Sequence, residues 1–325
     1  MLSELKVSDK NRIRVLDIAK GIGVFLVIAG HMPSVFPERV RLWIFSFHMP
    51  LFFLISGYFA YVYVTIDDVW KATLRKIPKL LVPYLIYSLI YSVILNYAEP
   101  MPLNSLLTHM IKILNGTQEG VQWFLLCLFW VSVMFAWLTF VVKNPIHRAY
   151  SIFGIALIGL LLGRYGTHNY LRFGSACYSL GFYYLGYLWK TYKERVDKVF
   201  RRFKFFIVPT VLIIELAVLI LNVKILDLMP NFEIDILINY LVAVSGCSII
   251  LFASGIMDRL NYLGYFLAYV GRFSLYFYPL TNYIPYFMGK ILGESNLLKL
   301  VGYVLGFAVA FLCSMVQLRW VKNEK

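Results

Sequence analysis

The chain has 325 residues, of which 60% are hydrophobic and only 15% charged, and it carries a formal net charge of +14. A water-soluble fold of this length cannot hide so much apolar surface, so the composition and a mean hydropathy of +0.72 exclude a soluble enzyme and point to an integral membrane protein. In that setting the basic surplus is a topology signal and an attraction to anionic lipid headgroups, so no nucleic-acid partner is expected. Aromatic residues make up 18% of the chain, which suits the two interfaces of a bilayer.

Crossing the hydrocarbon takes about 20 apolar residues in a helix. The pattern predicts an all-α protein with about ten transmembrane helices, roughly at 14–33, 42–64, 78–96, 121–142, 149–164, 173–190, 205–223, 234–256, 263–286 and 296–318. The longest connecting loops are expected at 97–120 and 191–204. The polar opening segment and the lack of a small-residue cleavage site predict no cleavable signal peptide. Without repeats or a low-complexity tract, residues 1–325 read as one transmembrane domain. Cys127, Cys177, Cys247 and Cys313 fall in apolar runs without metal-ligand spacing, so neither a metal site nor a disulfide framework is expected.

The cations orient these spans. With the N-terminus inside, the inner segments hold Lys6, Lys10, Arg12 and Arg14; Lys71, Arg75, Lys76 and Lys79; Lys143 and Arg148. They continue with Lys190, Lys193, Arg195, Lys198, Arg201, Arg202 and Lys204; Arg259; and Arg319, Lys322 and Lys325. The outer segments hold Arg39, Arg41, Lys112, Arg164, Arg172, Lys224, Lys290 and Lys299. An inner excess of 21 over 8 predicts both termini in the cytoplasm.

Ionisable residues at membrane depth cost roughly 2.5–3.5 kcal/mol each at the bilayer centre on insertion scales, so each needs a partner, a cavity or a task. Asp17 and Lys20 sit three apart on the first span and can pair on one helix face. His31 follows Lys20 by eleven residues, about 16 Å of rise and close to three turns, which puts both on one side. A bland reading makes Asp17 and Lys20 an interfacial ion pair and His31 a helix cap. His48, followed by Met49-Pro50 on the second span, is a further imidazole able to exchange protons near neutral pH. Ser56-Gly57 reads better as close helix packing than as chemistry. Glu215 lies within the seventh span with no partner evident from sequence, and His109, His147 and His168 are expected in loops. Trp123 fits an interfacial anchor better than a sugar platform, and Arg272 fits a snorkelling cation.

Two runs resemble one family. Leu16-Asp17-Ile18-Ala19-Lys20-Gly21-Ile22-Gly23 with Gly30-His31, and Ser46-Phe47-His48-Met49-Pro50-Leu51-Phe52-Phe53-Leu54-Ile55-Ser56-Gly57-Tyr58, are similar to the first two helices of the acyltransferase 3 family. These multi-pass bacterial membrane proteins O-acylate, mostly O-acetylate, surface polysaccharides and related glycans. Weaker matches continue at Arg75 with Pro83-Tyr84, Trp123-Phe124-Leu125, Leu185-Gly186-Tyr187 and Gly271-Arg272-Phe273-Ser274-Leu275-Tyr276. Lys20 stands where many relatives have Arg; a Lys at this place resembles the fucose and exopolysaccharide acetyltransferase branch. Thr281 stands where many have His, so no catalytic role falls to the ninth span.

The resemblance implies His31 as general base, His48 as second imidazole, and Lys20 with Asp17 near the thioester. Arg75, Lys76 and Lys79 would hold the phosphates of the donor, or else merely anchor the inner surface. The donor it implies is acyl-CoA, acetyl-CoA in the first instance, with no permanently bound cofactor. The acceptor it implies is a glycan or lipid-linked sugar, met together with membrane lipids at the bacterial cytoplasmic (inner) membrane. A transporter or flippase for a lipid-linked glycan would share the spans and the basic inner surface, and it is the alternative reading.

Overall fold

The computed structural model describes residues 13–33, 35–98, 102–118, 120–165, 169–221, 236–293 and 295–323. Lys6, Lys10, Arg12, His168, Lys224 and Lys325 lie outside the described residues, as do the side chains of Arg164 and Lys322. Among the described residues the chain is 88% helical and holds no strand.

Thirteen α-helices are described: α1 (Arg14–Gly30), α2 (Glu38–Tyr58), α3 (Ile66–Lys76), α4 (Val82–Ala98), α5 (Leu103–Leu114), α6 (Trp123–Val141) and α7 (Pro145–Tyr165). Then come α8 (Phe173–Thr191), α9 (Lys193–Leu221), α10 (Ile236–Met257), α11 (Asn261–Arg272), α12 (Ser274–Leu292) and α13 (Asn296–Asn323). Among the described residues, seven helices are long and apolar enough to cross a membrane: α2, the continuous α3–α4 rod, α6, α7, α9, α10 and α13.

Five sequence expectations change in detail. The expected loop 97–120 contains α5, because Leu107, Met110, Ile111 and Leu114 recur at helical spacing up to a stop at Asn115-Gly116. Gly116 has φ +68°, a left-handed turn that glycine adopts without strain. The expected loop 191–204 is the opening of α9, which follows α8 after a single break at Tyr192. The third span gains an amphipathic extension, since α3 runs through a π-helical turn at Ile77–Leu81 into α4. The ninth span is two helices parted at Phe273 (φ −105°, ψ 26°). His109 lies on α5 and His147 in the first turn of α7, so neither is on a loop.

The described chain divides into two compact units. One comprises Met1–Ile44, Tyr91–Pro100 and Ser248–Lys325; the other comprises Phe45–Ile90 and Met101–Cys247. In the first, α1 lies along α11 and α12 along α13. A Cβ on Gly21 would overlap the Leu267 backbone, and one on Gly271 the Asp17 carbonyl, so these glycines let α1 and α11 touch backbone to backbone. Phe25, Phe266 and Phe307 stack beside that seam with centroids 5.9–6.1 Å apart.

In the second unit, Gly57 of α2 abuts the Tyr183 backbone, and Gly186 of α8 abuts the Leu54 carbonyl. Ser56-Gly57 therefore serves packing, as its composition suggests. Gly159 sets α7 against α8 at Tyr178 in the same way. Arg172 ties the entry to α8 onto the preceding turn, donating to Gly116 O at 2.9 Å and to Gln118 O at 3.1 Å, with its guanidinium 5.8 Å from the Trp123 ring centroid. Trp123 and Arg172 are both buried there.

Candidate functional site

The first turn of α1 carries Asp17, which is 6% exposed, and the next turn carries Lys20, which is half-buried. Their spacing of three brings Lys20 Nζ to 2.6 Å from Asp17 Oδ1. The seam with α11 explains the depth of the pair, because Gly271 leaves space for the backbone at Asp17 and nothing more. Nearer the start of α1, Arg14 Nε lies 3.0 Å from Asp258 Oδ1, and its guanidinium stacks 4.0 Å from the Tyr265 ring centroid.

At the other end, His31 is the residue that closes α1, with φ −93° and ψ 10°. Its backbone N–H donates to Val27 O and Ile28 O, and its ring Nδ1 donates to Val27 O at 2.8 Å. A carbonyl oxygen only accepts, so Nδ1 carries the hydrogen of the neutral ring and Nε2 carries the lone pair. The exposed imidazole is thus both a cap and, through Nε2, a proton acceptor. Two residues that the sequence reading did not assign to the site attach at this end. Arg41 Nε donates to Gly30 O at 2.8 Å, and Tyr303 Oη donates to His31 O at 3.0 Å. Arg41 reads in the sequence as an outer cation and Tyr303 as one apolar-span tyrosine among several. A contact spanning 272 positions leaves no local signal.

His48 belongs to the second unit, where it is 4% exposed. Its ring lies 5.4 Å from that of Phe45, centroid to centroid. Pro50, two residues on, interrupts the backbone ladder of α2. Phe47 is fully buried against Gly246, and the Cys247 thiol donates to Phe47 O at 3.6 Å.

Arg75 and Lys76 occupy the last turn of α3, and Lys79 follows in the π-helical turn. Asp67 and Asp68 open α3 and its cations close it, an arrangement that suits the helix dipole, while the Thr65 hydroxyl caps Asp68 N–H at 3.2 Å. Arg75 and Lys79 are exposed and Lys76 is half-buried, so the three cations gather on one short stretch. In the connection before α3, burial pushes the Tyr63 phenol up, and the nearby Arg75 works against that shift. Lys190 Nζ reaches Ala60 O in the same connection at 3.4 Å and lies 4.2 Å from the Tyr61 ring centroid.

The remaining polar residues also find places. Glu215, buried in α9, accepts a hydrogen bond from Ser245 of α10, the partner that sequence could not name. Thr281 is buried and donates its hydroxyl to Phe277 O, a local helix bond. Cys127, Cys177, Cys247 and Cys313 are all free thiols. Among the described residues, no group of three His, Cys, Asp or Glu side chains is placed to hold a metal ion.

Residues 13–319 match the profile of the acyltransferase 3 family, described as an acyltransferase domain. No curated protein and no solved structure matches the chain.

Proposed function

The chain belongs to the acyltransferase 3 family and is an acyltransferase, and on that basis we propose that it moves an acyl group, acetyl in the first instance, from acyl-CoA to a hydroxyl of a surface polysaccharide or lipid-linked glycan. The observation that carries this reading is the His31 ring, whose Nδ1 donates to Val27 O and whose Nε2 is thereby the acceptor nitrogen. Nε2 takes the proton of the acceptor hydroxyl as its oxygen attacks the thioester carbonyl. The C–S bond then breaks, the acyl ester forms, and the proton leaves with the CoA sulfur. The imidazolium formed on the way sits at the negative end of the α1 dipole, which favours it by about 0.3–1 kcal/mol. General-base assistance of this kind is worth about 10²–10⁴-fold.

Lys20, held by Asp17, supplies positive charge about 16 Å back along α1 from His31, where an anionic donor needs it. Arg75, Lys76 and Lys79 take the CoA phosphates, and His48 supports catalysis as a second imidazole. In this reading α1, α8 and the α11–α12 pair cross the membrane with the seven apolar helices, giving ten crossings. Both termini and the basic start of α9 then face the cytoplasm of a bacterial cell.

The test is transfer of labelled acetyl from acetyl-CoA by purified protein in nanodiscs to the lipid-linked glycan fraction of the source cells. His31→Ala is expected to lose at least about 100-fold in activity at normal abundance. Activity above about a tenth of wild type would remove His31 as the base. Glycolipid crossing the bilayer with no acyl transfer by the wild-type protein would instead support a flippase.

A further inference from the structure

An α-helix ends with its last four carbonyls lacking partners within the helix. For α1 these belong to Val27, Ile28, Ala29 and Gly30. The common remedy is a left-handed residue just past the end, which lets backbone N–H groups fold back onto the orphan carbonyls. His31, at φ −93° and ψ 10°, does not provide it. The His31 N–H reaches Val27 O and Ile28 O at 3.2 and 3.1 Å, and the Met32 N–H reaches Ala29 O at 3.2 Å. Gly30 O and His31 O are taken by side chains from elsewhere, Arg41 Nε of α2 at 2.8 Å and Tyr303 Oη of α13 at 3.0 Å.

These two carbonyls belong to the peptide groups on either side of His31. Fixing both planes fixes the direction of the His31 Cα–Cβ bond, and the ring then has one short path to Val27 O. Without those anchors the last turn could rotate, the Nδ1 bond would compete with water, and the other tautomer would become available. We infer that Arg41 and Tyr303 are positioning residues for His31, holding the end of α1 so that Nδ1 stays on Val27 O and Nε2 is offered as the base. The inference rests on the reading of His31 as base. It adds two residues that act through the backbone and not on the substrate. All four residues lie in one compact unit, so the geometry is internal to it.

Conservative variants test this. Tyr303→Phe removes a single hydroxyl, Arg41→Lys keeps the charge with a simpler donor, and Arg41→Gln removes the charge. With acetyl-CoA as donor and the extracted lipid-linked glycan fraction as acceptor, Tyr303→Phe is expected to lower kcat about tenfold. Combined with Arg41→Gln the loss should reach about 100-fold, with the KM for acetyl-CoA within about twofold of wild type. Arg41→Lys should keep most of kcat.

Nitrogen NMR of ¹⁵N-histidine-labelled protein in nanodiscs gives a second readout that needs no acceptor. The His31 signals are identified by their loss in His31→Ala. They should report the Nδ1–H tautomer in wild type and a mixture in the Tyr303→Phe/Arg41→Gln protein. A tautomer unchanged in that protein, with kcat at the wild-type value, overturns the inference. A rise in KM without a fall in kcat also overturns it, because it moves both residues to donor binding. Wild-type transfer by His31→Ala overturns the base assignment instead, and the tautomer signal still decides whether Arg41 and Tyr303 hold the ring.

Discussion

The Asp17–Lys20 pair separates a structural role from a chemical one. The carboxylate is 6% exposed and Lys20 Nζ lies 2.6 Å away, so Lys20→Met leaves a buried negative charge without this cation. Breaking a buried pair from one side costs about 3–5 kcal/mol, whereas replacing both charges is near neutral. At roughly 2–4 °C per kcal/mol, Lys20→Met should lower the melting temperature by roughly 10 °C. Asp17→Asn combined with Lys20→Met should return to within about 3 °C of wild type.

Activity should not follow stability. Lys20→Arg keeps the charge and should keep part of the transfer from labelled acetyl-CoA. Lys20→Met should lose most of it. The double variant should stay inactive although its fold is restored, because a neutral pair leaves no positive charge at that depth for an anionic donor. Thermal unfolding in detergent and acetyl transfer in nanodiscs give the two readouts on the same preparations. A stable double variant with full transfer would refute the reasoning and reduce Lys20 to a counter-ion that lets α1 insert.

Three further substitutions test the packing and the orientation. Gly57→Ala places a methyl group into the Tyr183 backbone and should destabilise by at least about 1–3 kcal/mol, whereas Gly154→Ala meets nothing within 4 Å and should gain up to about 1 kcal/mol; paired melting curves check both. In a protein without other cysteines, Lys198→Cys on the opening turns of α9 should resist a membrane-impermeant thiol reagent added from outside, and labelling in intact cells would reverse the proposed orientation.

What the sequence disclosed about the site is what spacing along one helix can express. Asp17 and Lys20 are three residues apart, and the pair forms. Gly57 sits in a small-residue step, and close packing follows. Contacts made by the fold alone stayed hidden. Arg41 and Tyr303 meet the end of α1 from other helices, and Ser245 meets Glu215 from thirty residues away. The helix α5 was hidden for a different reason: twelve residues between Pro102 and Asn115 are too few for a span and polar enough to pass for a loop.

The number of helices apolar enough to cross has its own physical logic. Hydropathy measures fitness for lipid, and a helix shielded by its neighbours has less need of it. Only 11% of the apolar stretch of α9 is buried, so its side chains must themselves be apolar. By contrast, α8 carries Tyr178 and Tyr183, and α12 carries Tyr278 and Tyr283, all four of them buried. These tyrosines lower the hydropathy of α8 and α12 without exposing a hydroxyl to hydrocarbon. Under the proposed transfer, helices that meet a sugar and a thioester have reason to carry polar side chains, and α8 and α12 carry them. The helices least convincing as spans by apolarity are therefore where residues that touch the acceptor should be sought first.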